Sequence, residues 1–559
     1  MTFVQVFMLH WFKKLPWKEI GLLIALLVFE VAMHPLGIGP DRRIHDPAVY
    51  RLADPTYLPG DWYTDMAVDS GVYMFYAALV NFGPSLGIPE ELWRQGIYIV
   101  CLILLYGVMI HIARLFSESV WVVPLIASFH AVLVLWVPPI WLYGPFIQID
   151  GGLAPRSVGV ALSFLALYFL LKQARFLPWI LLGIATLIHV SNSFIVFALF
   201  FGAWLMQRWV EKKGLPQSYW KELLNESAML VTLYLLAGGW FVLWVALGGN
   251  AFSSLFSTEK FIWAWVYFRA PYMALPEVRF EAWFIFFFHV VSLGVGWYLL
   301  RPYFDGVKKK MIDLLGYIGV GALGFFFAFY MFAFVIPWLP GFQFYSLRVI
   351  YFMHFITYLF VTLLLVRWID VGAKTYKIAY TRIGTAIFMV VSLSLLTPPG
   401  KFLLERSYRN LIYTWVRLQD FSNPIGPPST EEEVGRYIFL YSEPFLAPPD
   451  WYGSPAYLPH VASFKTFGFT PRGLEEWYER VNDVSRGKLE SMYQNQKEKG
   501  VFEPVYLKWG EVYSKLTERD VRRLAKKYHF RFFVTYREKE YAFPVVTEDA
   551  RYRLYRIEP

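Results

Sequence analysis

The sequence predicts a polytopic α-helical membrane protein of about 11 spans that ends in a small extracytoplasmic α/β domain. Of its 559 residues, 57% are hydrophobic and 17% are charged, which is more apolar than a soluble domain. Many stretches approach the ~20 apolar residues that cross a bilayer. Lys and Arg gather in the short connections between these stretches, which is the pattern that sets membrane topology.

The first span is expected at about 19–36, and Lys13, Lys14 and Lys18 before it place the N-terminus in the cytoplasm. A tight pair of spans shares 177–206 and turns near His189. The other expected spans are 95–114, 119–137, 156–171, 228–247, 282–300, 314–337, 347–366 and 383–397.

Residues 37–91 then form a first outer loop. The loop contains an apolar stretch, 71–88, which is interrupted by Pro84. We expect this stretch to lie along the membrane surface, because counting it as a span would put the basic connections outside.

Composition changes at about residue 400, where charges and prolines become frequent. The sequence therefore predicts a transmembrane domain over 1–400, a linker over 401–433 and a soluble α/β domain over 434–559. In the last of these, Thr517 can cap a helix that precedes the β-rich segment FRFFVTY.

Several classes of function are excluded by what the sequence lacks. It contains no P-loop, no dinucleotide-binding glycine motif, no zinc-type Cys/His spacing and no GxSxG elbow. The net charge of +9 is accounted for by the basic connections, so nucleic acid is not an expected partner. The single cysteine, Cys101, excludes an intrachain disulfide.

Ionisable side chains gather near the outer ends of the expected spans. Such groups are costly at membrane depth and usually face a cavity or a partner. The first outer loop carries the aspartates Asp46, Asp54, Asp61, Asp65 and Asp69. Near the starts and turns of later spans lie Asp150, Arg156, His189 and Arg348.

The residues before Arg156 give the clearest indication of a binding site. Gly151 and Gly152 permit a tight backbone, Pro155 suits a first helical turn, and Arg156 follows. A helix N-terminus beside a guanidinium group suits an anion. The alternative is an interfacial anchor or an ion-pair partner for Asp150.

The other polar residues also have two interpretations. Arg348 either binds an anion or extends to the membrane interface. His189 either contacts a ligand or is a hydrogen-bonded core histidine. The loop aspartates either include a general base, for which one carboxylate is enough, or serve turns and helix caps.

Three segments of the first loop resemble a known family: DPAVYRLA (46–53), YLPGDWY (57–63) and YMFYAALVNFGPSLG (73–87). The arrangement resembles the integral-membrane glycosyltransferases of the GT-C fold class. In those enzymes a first span is followed by a large outer loop with an essential acidic residue near its start, and then by a helix along the membrane surface. LAPRSVGVALSFLALYFL (153–170) resembles their fourth span, and the resemblance covers roughly residues 15–400.

The first loop of that family often reads Asp-Glu-x-x-Tyr-x-x-x-Ala. DPAVYRLA matches it at Asp46, Tyr50 and Ala53, but has Pro47 where the second acid is common. YLPGDWY is similar to the continuation in uncharacterised bacterial members, which makes Asp61 a rival to Asp46.

The resemblance implies transfer of a sugar from a polyprenyl-phosphate-linked donor to an acceptor at the outer face of the membrane. Asp46 or Asp61 would take a proton from the acceptor hydroxyl. Arg156 and Arg348 would bind the phosphate and stabilise its charge as the glycosidic bond breaks. The remaining expected substrate-binding residues are His189, Tyr50, Asp150 and Trp62.

The resemblance implies no certain cofactor and leaves open a divalent metal ion, Mg²⁺ or Mn²⁺. The expected partners are the lipid-linked donor, membrane lipids and a glycan, lipid or protein acceptor. The basic inner connections suit a prokaryotic inner (plasma) membrane, with the N-terminus in the cytoplasm and the C-terminal domain outside.

Two other functions use the same residues. A transporter of a lipid-linked or anionic substrate would need the same arginines, but charged residues are sparse in the middles of the spans and no paired broken helices stand out. A non-catalytic scaffold subunit of an envelope complex would keep the fold without the reaction.

Overall fold

A computed structural model gives the fold of this chain. It describes residues 19–21, 23–24, 26–28, 40–58, 61–119, 121–122, 125–126, 153–211, 217–247, 255–269, 280–339, 349–376, 434, 444–448, 471–503, 505 and 509–558. The predicted linker 401–433, the span at 383–397 and most of the span at 119–137 lie outside these residues.

The described residues are mostly helical, and five helices are long and apolar enough to cross a membrane. This combination indicates a membrane protein. The sequence predicts about 11 spans, so the five helices found among the described residues do not show that number. The five are Glu90–Phe116, Val190–Glu211, Tyr219–Val245, Gly306–Val335 and Ile350–Val371. Shorter apolar helices occur at Glu19–Val28, Pro155–Leu171 and Leu177–Ile188.

The first outer loop folds into three short helices, α1 (Pro40–Ala53), α2 (Trp62–Asp69) and α3 (Met74–Ser85), which lead into the long α4 (Glu90–Phe116). At ~1.5 Å per residue, the 12 residues of α3 extend about 18 Å, well short of the ~30 Å apolar core of a bilayer. The apolar helix Leu177–Ile188 also has 12 residues, so length does not distinguish the two helices, and the expectation that 71–88 lies along the membrane surface stays a prediction.

Helices α5 (Pro155–Leu171), α6 (Leu177–Ile188) and α7 (Val190–Glu211) form two successive antiparallel hairpins. Trp179, at the start of α6, packs against Trp204 near the end of α7, with ring centroids 6.2 Å apart. His189 ends α6, and α7 begins at the next residue. The predicted turn of a tight pair near His189 is therefore confirmed.

Helix α8 (Gln217–Tyr234) is joined to α9 (Trp240–Leu247) by a short turn, Leu235–Gly239, that is kinked at Gly238. Gly238 has a φ of +145°, and a Cβ there would collide with the carbonyl oxygen of Gly183 in α6. Glycine at both positions lets the turn rest directly on α6. Beside this contact the ring of Tyr234 stacks on Phe197 at 3.7 Å.

The rest of the bundle has four segments. Helix α10 (Thr258–Ile262) continues as a π-helix, Trp263–Arg269, and α11 spans Phe280–Leu300. A 3₁₀ turn, Arg301–Tyr303, leads to α12 (Gly306–Tyr330) with its π-helical end Met331–Val335, and α13 spans Ile350–Tyr376.

One end of the bundle is rich in Lys and Arg, and we call it the basic end (116–119, 172–176, 208–211, 301–310 and 367–370). There Lys310 pairs with Glu211 at 3.1 Å, which joins α12 to α7. The guanidinium of Arg367 lies 3.1 Å from the ring centroid of Tyr303. The Oγ of Ser119 donates to Asp370 at 3.4 Å. The opposite end, which carries α1–α3, is called the loop end.

The C-terminal domain (444–558) contains α14 (Pro471–Val484), α15 (Lys488–Lys499), α16 (Trp509–Ser514) and α17 (Glu518–Tyr528). A four-stranded sheet completes it, in the order β1 (Phe445–Leu446), β2 (Phe532–Tyr536), β4 (Tyr552–Arg556), β3 (Val545–Glu548). Strands β1 and β2 are parallel and the other pairs are antiparallel. A capping box between Thr517 and Asp520 starts α17, which confirms the predicted cap.

The C-terminal domain docks on the segment 255–269 at the loop end. The Nζ of Lys260 lies 2.7 Å from the carboxylate of Glu490 and 4.5 Å from the ring centroid of Phe256. The indole of Trp477 stacks on Phe268 at 5.1 Å. Burial favours a raised pKa for Glu490, but hydrogen bonds, first from Lys260 and then from Gln494 and Tyr478, lower it below its ordinary 4.5.

This lowered pKa predicts that docking weakens in acid. A carboxyl group whose pKa is depressed in the folded state contributes stability that is complete above its ordinary pKa and is lost as the pH falls through the lowered pKa. Glu490→Gln should therefore lower the midpoint of thermal unfolding at neutral pH, and the difference from wild type should shrink towards zero in acid. Glu498→Gln, on the exposed side of α15, is the control. A difference that stays constant with pH would contradict the assignment.

Candidate functional site

The first outer loop is tied to α4 by an ion pair that is closed to solvent. The Oδ1 of Asp46 lies 2.7 Å from the Nη1 of Arg94, and both side chains are 0% exposed. Because two charges leave water together here, each one depends on the other for its compensation. Asp46 thus joins α1 to the start of α4.

A second carboxylate supports the same guanidinium. The Nε of Arg94 lies 2.7 Å from Glu90, one helical turn earlier in α4. The hydroxyl of Tyr50 donates to the same Glu90 oxygen at 3.2 Å, and the ring of Tyr50 lies 5.8 Å from the guanidinium carbon of Arg94. The predicted residues Asp46 and Tyr50 therefore lie close together around Arg94, which the sequence analysis did not predict.

Asp61 serves as the N-cap of α2. Its Oδ2 accepts from the backbone N–H of Thr64 at 2.9 Å and from the Thr64 hydroxyl at 2.7 Å, and the residue is 3% exposed. This is the capping interaction that was the alternative to a catalytic role. Trp62 follows as the first residue of α2 and is partly buried.

Charges in the loop also act on a tyrosine. Burial raises the pKa of the Tyr57 hydroxyl, and the negative charges of Asp46, Asp61 and Glu90 raise it further, so Tyr57 stays protonated. The backbone carbonyl of Tyr57 accepts a hydrogen bond from Arg51.

The same loop lies against the bundle through α3. The hydroxyl of Tyr76 donates to the carbonyl of Leu153 at 2.7 Å, three residues before Arg156. The ring of His45, next to Asp46 in the chain, lies 6.2 Å from the ring of Tyr76. The Asp46–Arg94 pair and the start of α5 are therefore neighbours at the loop end.

Beside the loop, polar side chains from four helices form a group that we call the Arg156 cluster. Its members are Arg156 and Ser163 on α5, His189 at the end of α6, Asn192 and Ser193 on α7, and Tyr351 on α13. The antiparallel order of the hairpins brings the first turn of α5 to the α6–α7 turn, which explains why distant residues meet here.

Hydrogen bonds hold most of the cluster together. The backbone N–H of Asn192 donates to Nδ1 of His189 at 3.3 Å, and its side-chain amide donates to the Tyr351 hydroxyl at 3.4 Å. Tyr351 also lies near Ser163 and close enough to Arg156 to be affected by its charge. The hydroxyl of Ser163 itself donates to the carbonyl of Gly159 at 2.7 Å. Ser163, Asn192 and Ser193 are buried.

Ser193 is different, because its Oγ is buried and has no hydrogen-bond partner within the described part of the chain. A hydroxyl in this state retains an unused donor. Ser193 lies at the same end of the bundle as Arg156, Tyr351 and the first turn of α5. A guanidinium, hydroxyl donors and a helix N-terminus are each groups that bind anions in proteins.

The cluster includes two of the predicted substrate-binding residues, Arg156 and His189. Arg348 and Asp150 lie outside the described residues, although Tyr351 of the Arg348 segment reaches the cluster. Sequence reading missed Arg94, Ser163, Ser193 and Tyr351. Arg94 could have been predicted, because Glu90 and Arg94 are spaced one helical turn apart at the expected edge of the membrane.

The described residues around Asp46 and Asp61 do not fit the divalent metal that the resemblance left open. Asp46 faces a guanidinium, and Asp61 caps α2. Within the described residues, no group of three or more His, Cys, Asp and Glu side chains is arranged to hold a metal ion.

Comparison of the sequence with known proteins gives no match, either to a protein-family model or to a curated protein.

Breaking the buried ion pair should be costly. Asp46→Asn removes one of the two carboxylates that lie 2.7 Å from the buried Arg94, and we expect a loss of about 3 kcal/mol in the free energy of unfolding. Asp65→Asn removes the partner of Arg51 at a side chain that is 40% exposed, and should cost under about 1 kcal/mol. Denaturant titration of both variants in detergent measures the contrast. Equal losses would show that Asp46 and Arg94 are solvated.

The packing of Gly159 gives another test. A Cβ there would lie 3.2 Å from Cβ of His189 and 3.3 Å from Oγ of Ser193, so both would have to move. Gly159→Ala should destabilise the protein by about 1 kcal/mol. Gly202→Ala on α7 meets nothing within 4 Å and should be neutral or stabilising by ~0.5 kcal/mol, since alanine favours helix. Thermal unfolding of the two variants checks the sign of each change.

Proposed function

We propose that this protein is a membrane glycosyltransferase that moves a sugar from a polyprenyl-phosphate-linked donor to an acceptor at the outer face of the membrane. One observation supports it most. The hydrogen bond from Tyr76 to Leu153 brings an acidic first loop beside the Arg156 cluster, so carboxylates and an anion-binding group meet at one end of the bundle. This is the pairing that the resemblance to the GT-C fold class requires.

In this proposal Arg156 binds the donor phosphate, and the hydroxyls of Ser193 and Tyr351 add donors to it. Charge on the phosphate grows as the glycosidic bond breaks, so fixed donors around it lower the barrier. Arg348 would add a second cation. His189 would contact the phosphate or the sugar.

Asp46 and Asp61 are the candidates for taking the proton of the acceptor hydroxyl. Asp46 is connected to the start of α5 through its neighbour His45 and through Tyr76. Tyr50 supports Asp46 through Glu90 and Arg94, and Trp62 is a surface on which a sugar ring could stack. No step is assigned to a metal ion.

The finer topology is also a proposal. We infer about 11 spans, counting the shorter apolar helices with the long ones. The basic end would face the cytoplasm of a prokaryotic cell, and the loop end with the C-terminal domain would lie outside the inner membrane.

Binding of the lipid phosphate tests the proposal directly. Native mass spectrometry of the detergent-purified protein should show binding of polyprenyl phosphate and at least about tenfold weaker binding of polyprenol, which lacks the charge. Arg156→Gln should remove this preference. Lys308→Gln, which removes one exposed cation at the basic end, should leave it unchanged. Equal binding of the two lipids by the wild type would overturn the anion site.

Transfer is then measured with polyprenyl-phosphate-linked sugars. Wild-type transfer that is lost in Arg156→Gln, and in Asp46→Asn or Asp61→Asn under conditions where the variant is still folded, supports the assignment. Transfer that survives both aspartate changes overturns the role given to the acidic residues.

A scaffold subunit is the second candidate, and specific observations favour it. Asp46 is engaged in a closed ion pair and Asp61 in a helix cap, so both acids already have structural roles. A scaffold would transfer no sugar with any donor and would bind polyprenyl phosphate and polyprenol alike. A transporter would move the lipid-linked substrate between leaflets of a vesicle without breaking the glycosidic bond.

A further inference from the structure

The C-terminal domain contacts the first outer loop as well as the segment 255–269. The guanidinium carbon of Arg480, on α14, lies 4.9 Å from the ring centroid of Trp62 and 4.5 Å from that of Tyr528. Its Nε donates to Glu476 at 2.7 Å. Arg480 thus links the first turn of α2 to α14 and to the end of α17.

The geometry favours a fixed position for this arginine. The salt bridge to Glu476, one turn earlier on the same helix, sets the direction of the guanidinium, and the Arg480 side chain is only 13% exposed. A planar guanidinium over two aromatic rings resists rotation better than a lysine ammonium would. The ring of Trp62 is therefore held from the side of the C-terminal domain.

Helix α14 is itself anchored to the bundle. Trp477 stacks on Phe268, and the side chain of Glu475 accepts from the backbone N–H of Phe256 at 3.0 Å. Because these contacts lie within one or two turns of Arg480, the position of Arg480 follows that of the 255–269 segment. A shift of the C-terminal domain relative to the 255–269 segment would therefore also move α2, through the contact between Arg480 and Trp62.

The position of α2 matters for the site. Asp61, its N-cap, is one of the two candidate bases, and Trp62 is the next residue. Asp65 on α2 holds Arg51 of α1 at 2.7 Å, and α1 carries Asp46. The chain of contacts from Arg480 through α2 therefore ends at both acidic residues.

We propose that Arg480 is a positioning residue through which the C-terminal domain sets the place of the first outer loop above the Arg156 cluster. The effect of Arg480 on sugar transfer rests on the proposed function. Its effect on α2 does not, because that effect is a matter of contact alone.

Hydrogen exchange of peptides covering 63–69 measures the contact. Arg480→Ala should speed exchange there about three- to tenfold, the effect expected from losing a partly buried cation–π contact. Arg486→Ala is the matched control, since Arg486 is an exposed arginine of the same domain that pairs with Asp520 within it. Unchanged exchange in Arg480→Ala, or an equal change in Arg486→Ala, would overturn the proposal.

Trp62→Leu removes the same contact from the loop side and changes no residue of the C-terminal domain. It therefore tests the proposal even if Arg480→Ala fails to fold. It should speed exchange by a similar factor, and the double variant should exchange no faster than either single variant, because one contact is lost in each case. Additive effects would mean that the two residues act separately, which overturns the proposal. Arg480→Lys keeps the charge and should restore protection only in part.

The transfer reaction separates this inference from the proposed function. If the wild type transfers sugar, Arg480→Ala should lower kcat severalfold and leave the binding of polyprenyl phosphate without a sugar unchanged, since the phosphate site is not touched. Weaker binding of polyprenyl phosphate with an unchanged kcat would overturn the positioning role. If the wild type transfers no sugar, the proposed function fails, and the exchange measurements still decide whether Arg480 positions the loop.

Discussion

The arrangement of the loop end depends on one buried ion pair, between Asp46 and Arg94. Neither charge has access to water, so α1 cannot leave α4 without separating two charges that are buried together. With α1 fixed, the ring of His45 lies beside the ring of Tyr76, and the hydroxyl of Tyr76 donates to the carbonyl of Leu153, just before α5 begins. The path from the first loop to the Arg156 cluster is therefore set by an electrostatic requirement and not by apolar packing alone.

Much of the bundle was predictable because helices in a membrane must be apolar over a fixed length. The α5–α6–α7 hairpins follow the predicted spans closely, and the turn at His189 is where the sequence places it. Two predicted residues from separate spans, Arg156 and His189, lie at the same end of the bundle, as their assignment to span ends on the same side implies. The cap at Thr517 was equally accessible, since capping is a local interaction.

The partners of the aspartates were not predictable from the sequence. Asp46 and Asp61 look alike there, each in a short polar segment, yet one pairs with an arginine 48 residues away and the other bonds to Thr64 three residues on. The long-range contact depends on how α1 returns to α4, which no local pattern encodes. Ser193 shows the same limit, because a serine in an apolar helix reveals neither its burial nor which described residues it contacts. The contacts of the candidate site residues thus depend on the tertiary structure, whereas the positions of the helices follow from the hydropathy of the sequence.

The kink at Leu235–Gly239 ties the resting place of the first loop to the backbone of a helix pair far along the chain. Gly238 has a φ of +145°, a conformation that residues with a side chain rarely adopt, and this conformation sets the direction in which α9 leaves α8. Beyond the kink Phe241 packs on Phe75 at 5.1 Å, and Trp244 fills the space beside Gly71. A residue with a Cβ at position 238 would have to change the kink, and the aromatic face of α9 would then move away from the loop. The backbone freedom of one glycine is therefore part of what holds the loop end in place.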